Sequence, residues 1–322
     1  MKKYIIITSI FEPTEAVRKF AALPDYQLVV VGDLKTPKNW QYENVVYLGV
    51  EEQKSLHSQF ADLLPYNHYG RKMMGYLYAI QNNADIIIDT DDDNIPYEKW
   101  SFPGFEGEFD TLDKNQGFYN IYKDFTDQHI WPRGLPLNLI TSKKEFKRTN
   151  SKQKIGIWQG LADGDPDVDA IYRLVSNTAC TFNKRNPVVL EQGTLCPFNS
   201  QNTAIRKELF PLLYLPAFVT FRFTDILRGL VAQPILWEAG YRLGFTEATV
   251  FQERNPHNYM RDFESEVPMY LHTEKTIETI GSVLSDKNSV AQNLYFAYES
   301  LHKQQIVEDK ELNLLENWLK II

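Results

Sequence analysis

The sequence predicts an α/β protein, with a mostly parallel sheet flanked by helices and a helical region at the C-terminus. Three observations carry this. Short β-branched runs alternate with helical stretches through the first third of the chain, the pattern of a parallel sheet covered on both faces. Polar and acidic residues gather where those runs end, the edge at which open α/β sheets take their ligands. Residues 274–322 read as helix and contain no proline, so the chain closes on helices rather than strands.

The elements follow in order. Residues 4–8 (YIIIT) form a buried strand, and 13–22 a short helix with Pro13 in its first turn. Residues 27–31 (QLVVV) are a second strand closed by Gly32-Asp33, and 45–48 a third. Residues 51–64 and 70–81 are helical, and 85–89 (DIIID) make a fourth strand. From about 100 to 150 the pattern breaks into aromatic sequence punctuated by Gly and Pro, including HIWPRGLPLNLI, a loop leading into a strand. KIGIWQG is a strand, and DPDVDAIYRL a short helix with Asp165 available as its cap. Residues 224–240 are a helix and 241–250 a strand. No repeat or low-complexity linker interrupts the chain, so residues 1–268 form one catalytic domain and 269–322 a C-terminal helical region.

Composition excludes several functions. With 34 Lys+Arg against 42 Asp+Glu the net charge is −8, a poor match to nucleic-acid phosphates. The chain has no polybasic patch for an anionic bilayer and no apolar stretch long enough to span one, which leaves peripheral membrane contact open. Glu12, Pro13 and Glu15 stand where a signal peptide would carry its cleavage site. Cys180 and Cys196 have neither metal nor redox spacing. These features together predict a cytoplasmic protein.

The sharpest chemistry lies in IIIDTDDDNIP. A buried strand delivers Asp91, Asp92 and Asp93 to its exit, and in extended backbone Asp91 and Asp93 share a face. Such a pair suits a hard divalent cation, Mn2+ or Mg2+, whose remaining ligands are phosphate oxygens and water. A solvated acidic turn is the bland alternative. A sharper rival makes Asp89 the nucleophile and Asp91 the acid of an aspartyl phosphatase. That rival expects Thr or Val where Asp92 stands, and an opening strand rather than a fourth one.

IIIDTDDDNIP is similar to the DxD strand of GT-A glycosyltransferases. The strings VVVGDLKTP, LPYNHYGRKMMGYLYAIQNNADIIIDTDDDN and WPRGLPL resemble the STELLO glycosyltransferase family. A weaker likeness, through GIWQGLADGDPDVDAIYRL, GTLCPFNSQNTAIRKEL and FRFTDILRG, extends to the plant reversibly glycosylated polypeptides, which are UDP-arabinopyranose mutases. The resemblance covers residues 4–265 and leaves the helical tail unmatched. It implies a GT-A-like (Rossmann-like) fold. It also implies a donor activated by a diphosphate, as a nucleotide sugar is, and a glycan or lipid-linked glycan acceptor.

Carried over by position, the resemblance makes Asp91 and Asp93 the metal-diphosphate pair, with Asp92 beside them at the donor. Thr8, Asp33 and Lys35 would meet the nucleoside. Arg71 would fork phosphate oxygens, although a surface salt bridge is an equal reading. Arg133 matches the self-glycosylated arginine of the mutase-like proteins and in a transferase would neutralise the diphosphate. Asp225 falls at the acceptor side, with Thr224 before it where the mutase-like proteins have a second acid. A helix cap is its rival role. His257 is the candidate for a further metal ligand, and His68 a weaker phosphate contact. Trp131 and Trp158 are candidates for stacking on a sugar, with core packing the alternative. A mutase and a non-catalytic sugar-nucleotide scaffold remain as competing functions.

Overall fold

The computed structural model describes residues 1–176, 178–253 and 258–322. Twelve strands occur among them: β1 (Lys3–Thr8), β2 (Gln27–Val31), β3 (Val45–Leu48), β4 (Ile86–Thr90), β5 (Asn94–Pro96), β6 (Glu106–Leu112), β7 (Gly117–Phe118), β8 (Arg148–Gly164), β9 (Val188–Leu190), β10 (Thr194–Leu195), β11 (Asn202–Arg206) and β12 (Arg242–Gln252). The eight helices are α1 (Glu15–Ala21), α2 (Val50–Leu63), α3 (Lys72–Gln81), α4 (Ala170–Val175), α5 (Thr224–Glu238), α6 (Tyr259–Gly281), α7 (Val290–Lys303) and α8 (Asp309–Ile321).

Ten strands form one sheet, in the order β3-β2-β1-β4-β11-β8-β6-β9-β12-β5. The first four are mutually parallel. Beyond β4 the sheet is mixed, because β11 runs antiparallel to both β4 and β8 while β12 runs parallel to β8. The α/β class read from the sequence stands. The second half is less regular because β8 is 17 residues long. Its first part pairs with β6, in the stretch expected to be irregular, and its second part with β12.

Alternation along β1 explains the layering. Tyr4 and Ile6 pack into one core with α3 and α5, whereas Ile5 and Ile7 pack into another with α1 and Trp158. A strand buried on both faces must be apolar along its buried length, and residues 4–7 (YIII) are, before the half-buried Thr8 at the exit. The C-terminal helices share the first core: Ile280, Leu294 and Trp318 lie in it together with Leu227 and Leu230 of α5. A single helix, α6, runs across residue 268.

Local differences from expectation have simple causes. The cap of α4 is Asp169, whose carboxylate accepts from the Tyr172 amide at 2.8 Å, and not Asp165, which pairs with Arg173. The predicted helix over 70–81 opens as a 3-10 turn, Tyr69–Arg71, before α3 begins at Lys72. Trp131 and Trp158 are core residues, 4% and 0% exposed. Trp131 donates its indole N–H to Asp169, and Trp158 packs edge-on against Phe109.

Candidate active site

The carboxyl ends of β1, β2 and β4 open onto two adjoining cavities. The first, about 260 Å³, is lined by Asp91, Asp92 and Asp93 on one side and by Arg133, Asp167, Arg222 and Asp225 on the other. The second, about 240 Å³, is lined by Ser9, Phe11, Asp33, Lys35, His68 and Arg71. Thr8, Tyr69, Asp92 and Phe221 border both.

At the exit of β4 each carboxylate has a different anchor. Asp91 Oδ1 lies 3.0 Å from Lys72 Nζ, and 32% of the Asp91 side chain stays exposed to the cavity. Asp92 Oδ2 accepts from Ser9 Oγ, and its carbonyl accepts from Thr14 Oγ1 at 2.6 Å. Asp93 Oδ2 accepts from Gln252 Nε2 at 3.3 Å. Below them the strand is pinned to the loop before β11, since Thr90 Oγ1 and Asn94 Nδ2 both donate to the Gln201 carbonyl, at 2.7 and 2.8 Å. Burial pushes the Asp91 carboxyl up to about 7, with Lys72 opposing and Asp93 and Asp89 adding to the rise. Burial also raises Asp92 to about 6, against the hydrogen bond from Ser9. Such values mark carboxylates crowded together in a partly dry site, a setting that a bound cation relieves.

Asp89, one turn of the pleat behind, is wholly buried between two cations. Its Oδ1 is 2.6 Å from Lys72 Nζ and its Oδ2 is 2.7 Å from Arg228 of α5, with the Tyr76 hydroxyl donating at 2.6 Å. A carboxylate spent in this way cannot reach a phosphorus atom, which removes the phosphatase alternative. Lys72 and Arg228, which sequence reasoning missed, are the two cations that hold Asp89. Their signal was only a basic residue inside each of two apolar helical stretches.

Several positions did not land as the residue types suggested. Arg71 is 1% exposed. Its Nε donates to Gln53 Oε1 at 2.8 Å and its Nη1 to the Ala61 and Leu64 carbonyls, so it ties α2 to α3 rather than lying on the surface. Asp33 lines the second cavity, where its carboxylate accepts from the Leu34 and His68 amides at 2.7 and 3.3 Å. Lys35 lies exposed at the same rim, and Thr8 is half-buried. His68 accepts the Gly70 amide at 2.9 Å through Nδ1, and burial lowers its pKa despite Asp33. His257 lies outside the described residues.

On the opposite wall Arg133 is 4% exposed. Its Nε donates to Asp167 Oδ1 at 2.8 Å, its Nη2 to both oxygens of Asp225 at 3.0 and 2.9 Å, and its Nη1 to the Arg222 carbonyl. The turn presenting Arg133 needs Gly134, at φ +89°, where a Cβ would come within 2.6 Å of Ile226. Asp225 is not the helix cap: Phe223 occupies that position, and no side chain caps α5. Close approach of α5 to the site requires Gly229, whose Cβ would lie 2.2 Å from the Phe198 carbonyl. Asp167, which the sequence reading passed over, also accepts from Asn199 Nδ2 at 2.7 Å.

The C-terminal helices hold the rim of this wall. Glu266 of α6 is fully buried and binds Arg222 at 2.9 Å, the Ala170 amide at 2.7 Å and the Tyr270 hydroxyl at 2.6 Å. Glu311 of α8, also buried, accepts from the Ala217 and Phe218 amides at 3.1 and 2.8 Å. Between these two anchors Phe221 stands 56% exposed where the cavities meet.

The donor set suits a hard cation in part. Among the described residues no group of three or more His, Cys, Asp or Glu side chains is arranged to hold a metal alone. Two carboxylates lining one cavity nonetheless fit Mg2+ or Mn2+, which are bound by one or two carboxylates when substrate phosphates and water complete the shell.

The family model of the STELLO glycosyltransferases matches residues 222–322, the stretch that contains Asp225, Arg228, Glu266 and Glu311. Two curated relatives from Arabidopsis thaliana, "Probable glycosyltransferase STELLO1" and "Probable glycosyltransferase STELLO2", are each 27% identical over 340 residues, covering 99% of this chain. The chain is related to the STELLO glycosyltransferases. It spans 44% of the length of either relative. The STELLO likeness also reaches the helical tail, which the resemblance over residues 4–265 left out. That extension agrees with the buried glutamates that tie the tail to the site. Among the described residues no helix is long and apolar enough to cross a membrane.

Proposed function

We propose that the chain is a metal-dependent glycosyltransferase that moves a sugar from a diphosphate-activated donor, of the nucleotide-sugar kind, to a hydroxyl of a glycan-type acceptor. The observation that carries this reading is the convergence of Asp91, Asp92 and Asp93 on one cavity that opens directly into a second at the ends of β1 and β2. A diphosphate at the acidic exit could then lie between a sugar in the first cavity and a nucleoside in the second. The family likeness and the relatives' printed names support the same chemistry.

Asp91 and Asp93 would hold Mn2+ or Mg2+, whose charge offsets that developing on the departing diphosphate. Asp33, Lys35 and Thr8 are placed to meet a nucleoside. Across the first cavity, Arg133 holds both Asp225 and Asp167 through its guanidinium. Asp225 is suited to accept a hydrogen bond from the acceptor hydroxyl and hold it in line for transfer. Arg133 has its donors committed to protein oxygens. Its part in this reading is therefore to orient Asp225, in place of the diphosphate contact expected of it. The same burial speaks against a self-glycosylated arginine, so the mutase reading gains no support.

A thermal-shift screen of nucleoside diphosphates and sugar nucleotides, with and without Mn2+, tests the proposal. A ligand of the native state raises the melting temperature according to RT ln(1 + [L]/Kd). A shift that requires both Mn2+ and the diphosphate is expected. No shift with any member of the panel would overturn the reading.

A further inference from the structure

Among the described residues Lys72 is the one lysine whose ammonium is sealed behind the acidic strand exit. It is 0% exposed and does not line the cavity. Its three N–H groups have three oxygens within reach: Thr90 O at 2.5 Å, Asp89 Oδ1 at 2.6 Å and Asp91 Oδ1 at 3.0 Å. A lysine has no further donor to give. Asp89 is already matched by Arg228 at 2.7 Å. Within this buried group two cations face two carboxylates, and removing Lys72 would leave Asp91 without its counter-charge.

We propose that Lys72 is a positioning residue that makes metal binding depend on the donor. The inference rests on the glycosyltransferase reading above. Lys72 occupies one oxygen of Asp91 and sets a fixed positive charge 3.0 Å from it. A divalent cation approaching from the cavity meets a half-engaged Asp91, the Asp93 carboxylate and a like charge behind them. Asp92 is engaged by Ser9, and among the described residues no three such side chains are arranged to hold a metal, so these residues alone are a poor chelator. A diphosphate brings both oxygen ligands and negative charge, so cation and diphosphate enter together. The same ammonium holds the Asp91 side chain in one orientation, because it is itself fixed by Asp89 and the Thr90 carbonyl.

Mn2+ electron paramagnetic resonance on the full chain reads this directly, with UDP as the diphosphate probe and Mn2+–UDP without protein as the control. Wild-type protein should bind Mn2+ alone at least tenfold more weakly than in the presence of UDP. In Lys72→Met, binding of Mn2+ alone should tighten at least tenfold and the effect of UDP should shrink. Lys72→Gln, which keeps N–H donors but loses the charge, should behave likewise and serves if the Met variant fails to fold. Unchanged Mn2+ affinity in a folded Lys72 variant would overturn the role of Lys72 while leaving the transferase reading intact. Equal Mn2+ affinity of the wild type with and without UDP would also overturn it. Absence of Mn2+ binding under every condition would remove the transferase reading and this role together.

Discussion

The two walls of the first cavity are built in opposite ways. The wall carrying Asp91, Asp92 and Asp93 comes from consecutive residues just past the end of one strand, which is flanked by β1 in parallel and by β11 in antiparallel pairing. The facing wall gathers Arg133, Asp167, Asn199 and Asp225 from four separate segments, joined by hydrogen bonds that span 32 to 92 residues. One wall is local in sequence and crowded with like charges. The other is non-local, and a single guanidinium holds its carboxylates together. The contrast suggests a division of labour, with ligand charge supplied to the first wall and ligand geometry set by the second.

The largest effect should follow from breaking the second wall at its centre. Arg133→Met would leave the buried Asp225 without its counter-ion and Asp167 with only Arg222, 4.0 Å away. Loss of one partner of a buried pair costs about 3–5 kcal/mol. Chemical denaturation should show a loss of that order, and transfer should fall to background. A stability within about 0.5 kcal/mol of wild type would mean that the wall does not depend on its guanidinium.

A finer cut is Asp225→Asn, which keeps shape and one acceptor oxygen. Transfer should drop roughly a hundredfold, the scale associated with assistance to a reacting hydroxyl. Calorimetric binding of UDP with Mn2+ should stay within a factor of about two, because Asp91 and Asp93 are untouched. Wild-type turnover in the folded variant would take Asp225 out of the chemistry and end the division of labour.

How much of this was legible in the sequence follows the same contrast. Strands β1 to β4 were readable because a strand buried on both faces is apolar throughout, and turn or acidic residues mark its exit. Asp91 and Asp93 reach one cavity by another route than the strand alternation expected of them: β4 ends at Thr90, and residues 91–94 turn, with the Asn94 amide donating to the Asp91 carbonyl at 3.3 Å. The mixed half was readable only in part: KIGIWQG and the strand expected over 241–250 correspond to β8 and β12, but β6 carries Glu106, Glu108 and Asp110 and looks like loop sequence, because its partner β8 supplies the reason it is a strand. Arg71 and Lys72 are adjacent, yet one faces α2 and the other the acidic strand. Periodicity cannot separate them when a 3-10 turn passes into a helix between the two. The cap of α4 fell on Asp169 rather than Asp165 because both are acids near a helix start, and only the chain path decides which one meets the Tyr172 amide. Glu266 and Glu311 gave no signal at all, since a buried glutamate in an amphipathic helix looks like a solvated one until its partners are known.

The central claim is that the exit of β4 binds a donor diphosphate through a cation held by Asp91 and Asp93. Its most direct test is isothermal calorimetry of UDP binding with saturating Mn2+, in the wild type and in Asp91→Asn and Asp93→Asn. Loss of one charged ligand contact is worth on the order of 2 kcal/mol, so each variant should bind roughly thirtyfold more weakly in Mn2+ and close to the wild type without metal. Unchanged affinity in both folded variants would contradict the account.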